Sequence, residues 1–149
     1  MNSMKITFRG DYALRAVLDL ATQYNQGVVT IHELAKRADA PVKFLEQVLL
    51  DLKKGGFVES RRGTNGGYFL SRHPQDIKLG EVIRFAEGPI GPIACVDEDY
   101  SGCASIYNCV FRKVYKEVAE ATSGIIDNIT FQDLVNRTKG AKRELAYSI

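Results

Sequence analysis

Three cysteines, Cys95, Cys103 and Cys109, fall within one short stretch of a 149-residue chain. Seven residues separate the first two and five separate the last two, which is not the paired CxxC spacing of structural zinc sites. Gly88, Pro89, Gly91 and Pro92 precede them, so the cysteines sit in an irregular loop. Widely spaced thiolates in such a loop suit a ligand set wrapped around a larger object, and thiolates are the usual ligands of iron–sulfur clusters. A redox-active thiol pair with a spare, or three incidental cysteines, are the other readings of the same spacing. Asp97, Glu98 and Asp99 inside the loop either supply an oxygen donor or form a solvated face.

A second set of residues points to polyanion binding. Between positions 41 and 73 lie six basic residues (Lys43, Lys53, Lys54, Arg61, Arg62, Arg72) against three acidic ones (Glu46, Asp51, Glu59). Arg61 and Arg62 directly precede Gly63-Thr64-Asn65-Gly66-Gly67. Glycines there allow a tight turn with positive φ, and Gly66 and Gly67 leave the backbone open to phosphates. A basic helix followed by an arginine-tipped hairpin suits double-stranded DNA, with the helix in the major groove and the tip on phosphates or in the minor groove. A basic face on a protein-interaction module is the alternative. On the helix, Lys43, Glu46 and Gln47 occupy the early polar positions where base-reading side chains belong. Glutamine pairs with adenine, and glutamate accepts from cytosine while repelling phosphates, so Glu46 either selects against unsuitable sequences or is an ordinary surface residue.

The elements that must position these residues follow from periodicity. Leu14, Val17, Leu18 and Ala21 mark an amphipathic helix after Gly10 that ends near Gly27. Thr30 with Glu33 forms a capping box that opens a short second helix to about Ala38. Pro41 suits the first position of a third helix, which carries Leu45, Val48, Leu49 and Leu52 on one face and ends at Lys53-Lys54-Gly55-Gly56. Phe57–Arg61 and Tyr68–Ser71 read as strands around the hairpin signal Asn65-Gly66. Three helices and a hairpin in this order define a winged helix-turn-helix. Leu79 to Ala86 reads as a further helix. Tyr107, Phe111, Val114, Val118, Ala121 and Ile125 then alternate spacings of four and three, a heptad-like seam. Thr130 to Asp133 caps a last helix to about Val135, followed by a basic, loosely held tail from Arg137.

The expected fold class is therefore mainly α with a small β-hairpin wing. Its parts are a winged helix-turn-helix over residues 1–74, a cysteine-loop and long-helix region over 75–136, and a flexible tail over 137–149. A formal net charge of +2 is too small to signal nucleic-acid binding by itself, so that inference rests on where the charges lie. The apolar stretch Ala13 to Leu20 is broken by Arg15 and Asp19, so no membrane segment or signal peptide is expected. An odd number of cysteines without an export signal favours a cytoplasmic setting. His32 and His73 lie on separate elements with no nucleophile nearby, and no phosphate-binding loop is present. The chain is not expected to be an enzyme.

Several motifs together give a more specific expectation. Gly10-Asp11-Tyr12-Ala13-Leu14, Phe44-Leu45-Glu46-Gln47, Leu52-Lys53-Lys54-Gly55-Gly56, Arg62-Gly63 with Gly66-Gly67-Tyr68, Gly80-Glu81-Val82-Ile83 and Asn128-Ile129-Thr130 resemble the Rrf2 family of bacterial winged-helix transcriptional regulators. The likeness spans roughly residues 4 to 136. It implies a homodimer paired through the long helix, which carries the Tyr107-to-Ile125 seam, and an iron–sulfur cluster held by Cys95, Cys103 and Cys109. It also implies an operator in double-stranded DNA and a signal such as nitric oxide, oxygen or iron and cluster status. In one branch of the family a histidine ligand stands three residues after the last cysteine, where this chain has Arg112, a cation that cannot serve as an ordinary ligand. In another branch an aspartate of the partner subunit's first helix ligates the cluster, and Asp11 matches it. Asp11 is then a candidate fourth ligand, with helix capping as its other reading. An aspartate with three cysteines resembles the 4Fe–4S case more than the 2Fe–2S case. The rivals to this expectation are a cluster-free thiol-redox regulator and a scaffold or cluster-handling protein that does not bind DNA.

Overall fold

The computed structural model describes residues 5–147. The helices are α1 (Phe8–Thr22), α2 (Ile31–Ala38), α3 (Val42–Lys54), α4 (Leu79–Glu87), α5 (Val110–Ile126) and α6 (Phe131–Tyr147). Between α3 and α4 lies an antiparallel hairpin, β1 (Val58–Arg61) with β2 (Gly67–Leu70), in the register Val58↔Leu70 to Arg61↔Gly67. The mainly helical, hairpin-bearing architecture is the one expected from the sequence.

Local rules account for most of the boundaries. Thr30 and Glu33 exchange the reciprocal bonds of a capping box at the start of α2. Thr130 and Asp133 do the same at α6. Pro41 is the N-cap of α3 rather than its first residue, and Gly55 is the C-cap. The first helix begins before Gly10, because the Thr7 hydroxyl accepts the Gly10 N–H at 3.2 Å. That assigns the cap to Thr7 and removes the reading in which Asp11 caps this helix. Gly10 is tolerated inside α1 for a tertiary reason. A Cβ there would lie 2.0 Å from Glu87 Oε1, the oxygen that accepts from Thr7 N and Thr7 Oγ1 at 2.8 and 2.7 Å. The helix stops at Thr22, short of Gly27, because Asn25 and Gly27 turn the chain at φ 62° and 96°.

One continuous core joins the winged-helix elements to the C-terminal region. Val17 and Leu20 of α1, Leu34 of α2, and Leu45, Leu49 and Leu52 of α3 are buried in it. So are Ile77, Val82 of α4, and Phe131 and Val135 of α6. The elements before residue 74 therefore do not close their core alone. The last helix is also longer than expected. It runs past Val135 to Tyr147, so residues 137–147, expected as a loose tail, are helical, and residues 148 and 149 lie outside the described residues. Beyond Val135 its described side chains are half-buried or exposed, so no apolar period advertises the helix in the sequence.

Candidate nucleic-acid interface and cysteine loop

The outer face of α3 presents Lys43, Glu46, Gln47 and Leu50 to solvent, while Leu45, Val48, Leu49 and Leu52 face inward. This division follows from the 3.6-residue period: the apolar face is fixed in the core, so the polar face must point outward. The hairpin stands beside that face. Glu46, Leu50 and Lys53 of α3 line one groove with Ser60, Arg61, Arg62, Gly67 and Tyr68 of the hairpin. Lys53 Nζ donates to Ser60 Oγ at 2.7 Å and fastens the end of α3 to β1. The structure thus brings Glu46, Arg61, Arg62 and Gly67 to a single surface.

The turn differs from the expected glycine-rich tip in one respect. It spans residues 62–66, and within it only Gly63 has positive φ, at 111°. Gly66 and Gly67 are required for close approach instead. A Cβ on Gly66 would lie 2.3 Å from the Arg61 carbonyl oxygen, and one on Gly67 would lie 2.5 Å from that of Val29. Tyr68 and Val29 exchange backbone bonds of 2.8 and 2.9 Å, which add Val29 as a partial third strand. Gly67 therefore lets the hairpin seat on the body of the domain. Arg72 also has a packing role, lying over the Phe57 ring at 5.3 Å from its centroid.

Around the cysteines, Cys95 and Cys109 are half-buried, Cys103 is exposed, and all three are free thiols. Cys95 lies in a 3₁₀ turn (Ala94–Val96), and Cys109 is the N-cap residue of α5. Three thiols in one loop fit an iron–sulfur cluster by the chemistry of their donors. Among the described residues no three or more His, Cys, Asp or Glu side chains gather as a metal site, so Cys95, Cys103, Cys109 and Asp11 are not brought together within one subunit. Asp11 is paired with Arg15 on its own helix at 2.9 Å. Arg112, half-buried, donates from Nε to the Cys95 carbonyl at 2.7 Å and ties the loop to α5. That positioning contact is a backbone interaction across 17 residues and leaves no trace in the motif.

Helix α5 buries none of its residues. Phe111, Val114, Val118, Ala121 and Ile125 are all exposed along it, while Tyr107 is exposed in the turn before the helix. The opposite side of α5 is held to α4. Arg84 reaches Asp127 Oδ2 and Ser123 Oγ, both at 3.0 Å, and this guanidinium holds the Asp127 carboxyl below the usual aspartate range. Glu87, the last residue of α4 and in the same final turn as Arg84, is the residue bonded to Thr7. Arg84 and Glu87 therefore connect the long helix through α4 to the start of α1, contacts that sequence periodicity does not reveal.

A helix-turn-helix whose third helix shares a basic groove with a hairpin wing belongs to the winged-helix class of DNA-binding regulators. Comparison with known proteins narrows the class. The chain belongs to the Rrf2 family, whose model, described as "Iron-dependent Transcriptional regulator", matches residues 6–137. An rrf2-like HTH-type transcriptional regulator of Rhodobacter capsulatus is 39% identical over 137 residues, covering 87% of this chain and 91% of that protein. The solved structure of IscR from T. potens matches with a TM-score of 0.74 at 33% identity, over 92% of this chain and 90% of that one. CymR of B. subtilis, described as a global cysteine regulator, matches with a TM-score of 0.75 at 31% identity, over 89% and 97%. The protein is a DNA-binding transcriptional regulator, of a family that controls transcription and is not enzymatic. No helix among the described residues is long and apolar enough to cross a membrane.

Proposed function

We propose that the protein is a cytoplasmic homodimer that binds an operator in double-stranded DNA and senses redox state, nitric oxide or iron status through an iron–sulfur cluster. The observation that carries this reading is a loop holding three free thiols, tied by Arg112 to a helix whose outward face is an apolar stripe. Cys95, Cys103 and Cys109 would hold the cluster, with Asp11 of the partner subunit as the fourth ligand and 4Fe–4S as the favoured form. When bound, the cluster supplies a centre that reacts with oxygen or nitric oxide.

The chain's own residues do the rest. Tyr107, Phe111, Val114, Val118, Ala121 and Ile125 pair the subunits. The dimer sets the distance between two copies of α3, which must match half-sites about one helical turn apart. Lys43, Glu46 and Gln47 meet base edges, and Arg61, Arg62 and the turn at Gly66-Gly67 meet the backbone. The Arg84 and Glu87 contacts give a change at the loop a packed route to α1 and so to the DNA-binding face. A coupling of about 1–3 kcal/mol would alter DNA affinity some five- to 150-fold.

Protein purified without oxygen is expected to be brown, with stoichiometric iron and sulfide. Cys103→Ala should lose the visible absorption, and Asp11→Ala should change the spectrum or the cluster content. A colourless protein that stays iron-free after reconstitution would remove the cluster reading. The three free thiols, Cys103 exposed among them, favour one second reading, in which the same thiols act directly as redox switches. That reading predicts a colourless protein and disulfides on oxidation. For the wing, Arg62→Ala is expected to weaken binding to all duplexes alike and to lower the slope of log K against log salt by about one. An unchanged slope in a salt titration would take Arg62 off the phosphates.

A further inference from the structure

Asp51 lies on α3 one turn after Gln47, and its two oxygens are used differently. Oδ2 accepts from Arg9 Nη2 of α1 at 2.7 Å, and Oδ1 accepts from Gln47 Nε2 at 3.3 Å. Arg9, Lys43, Phe44, Gln47 and Asp51 line one groove on the α3 side of the domain, so the three polar side chains form a chain that ends at the exposed face. We propose that Asp51, anchored by Arg9, is a specificity-positioning residue that fixes which way the Gln47 amide faces the DNA. The proposal rests on the reading that Gln47 meets base edges.

The chemistry of the three groups supports this role. An ionised carboxylate is an acceptor only, so it admits the NH₂ end of the Gln47 amide and repels the carbonyl end. One N–H is then committed to Asp51, and the second N–H remains beside Oε1 as a donor–acceptor pair. Adenine presents the matching edge in the major groove, N7 as acceptor and N6 as donor, whereas guanine presents two acceptors. A glutamine free to flip or swing can turn its NH₂ alone towards guanine, and discrimination falls. Arg9 has a second effect here. Its charge offsets that of Asp51, which would otherwise stand uncompensated near the phosphates.

The test uses full-length protein purified without oxygen and a duplex library randomised over the operator length, with bound sequences read before and after selection. Gln47→Ala should erase an adenine preference at one symmetry-related pair of positions. Asp51→Ala should reduce the same preference about five- to tenfold and leave the other positions unchanged, while affinity for all duplexes rises modestly because Arg9 loses its counter-charge near the phosphates. Adding Asp51→Ala to Gln47→Ala should produce no further change at that pair, which a general structural effect would not obey. Asp51→Asn keeps the shape without compelling the amide orientation, so it should lose the preference as well. An Asp51→Ala or Asp51→Asn profile identical to the parent, with Gln47→Ala still erasing the preference, overturns the positioning role alone. A Gln47→Ala profile identical to the parent overturns the base-reading assignment and the positioning role with it.

Discussion

The double substitution Phe111→Asp with Val118→Asp is expected to convert the protein to a monomer and to lower its affinity for a palindromic site by about 10²–10⁴. Both side chains lie on the outward stripe of α5, 66% and 37% exposed in the single chain. Because α5 buries none of its residues against its own subunit, introducing charge there leaves the core intact. In a dimer the same positions would place carboxylates in a desolvated seam, where an unpaired charge is strongly disfavoured. Binding of the second half-site then loses the advantage of being tethered to the first. Sedimentation should show the monomer, thermal unfolding should show a folded one, and anisotropy with a selected duplex should show the loss of affinity. A variant that remains dimeric would place the subunit contact elsewhere.

Phe131→Ala is expected to destabilise the fold by about 3–5 kcal/mol, the range for removing a fully buried aromatic side chain. Phe131 has no exposed surface and sits in the same core as Val17, Leu34 and Leu49. Its N–H donates to the Ile77 carbonyl at 3.0 Å, and Lys78 pairs with Thr130, so the start of α6 is stitched to the segment before α4. Against a typical total stability of roughly 5–15 kcal/mol, such a loss moves the urea midpoint by a large fraction. A cost below about 1 kcal/mol would mean that the helices and hairpin before residue 74 hold together without the C-terminal region.

Much of the architecture was legible because it depends on neighbours in the chain. The buried face of α3 follows from the spacing of Leu45, Val48, Leu49 and Leu52, and its capping glycine follows from the helix end. The start of α1 is not legible in the sequence, because Gly10 reads as a helix breaker and the glutamate that explains it stands 77 positions later. The length of α6 is hidden in the sequence because Lys139, Gly140, Lys142 and Arg143 show no apolar period and Gly140 disfavours a helix by about 1 kcal/mol. Asn65-Gly66 marks the turn, but the positive φ falls at Gly63, and the close packing that requires Gly67 depends on Val29, far away in sequence.

The candidate site divides in the same way. Residue type and spacing determined that the thiols share one loop, that basic residues gather on α3 and the wing, and that an apolar stripe repeats along α5. Each of these is set by local composition and helical period. Only the tertiary structure decided that Glu46 and Arg62 line one groove, that Arg112 holds the Cys95 backbone, that Arg9 reaches Asp51, and that Phe131 completes the winged-helix core. The reason is physical. Periodicity specifies which face of an element leaves water, whereas the partner that covers that face is set by how all the elements pack at once.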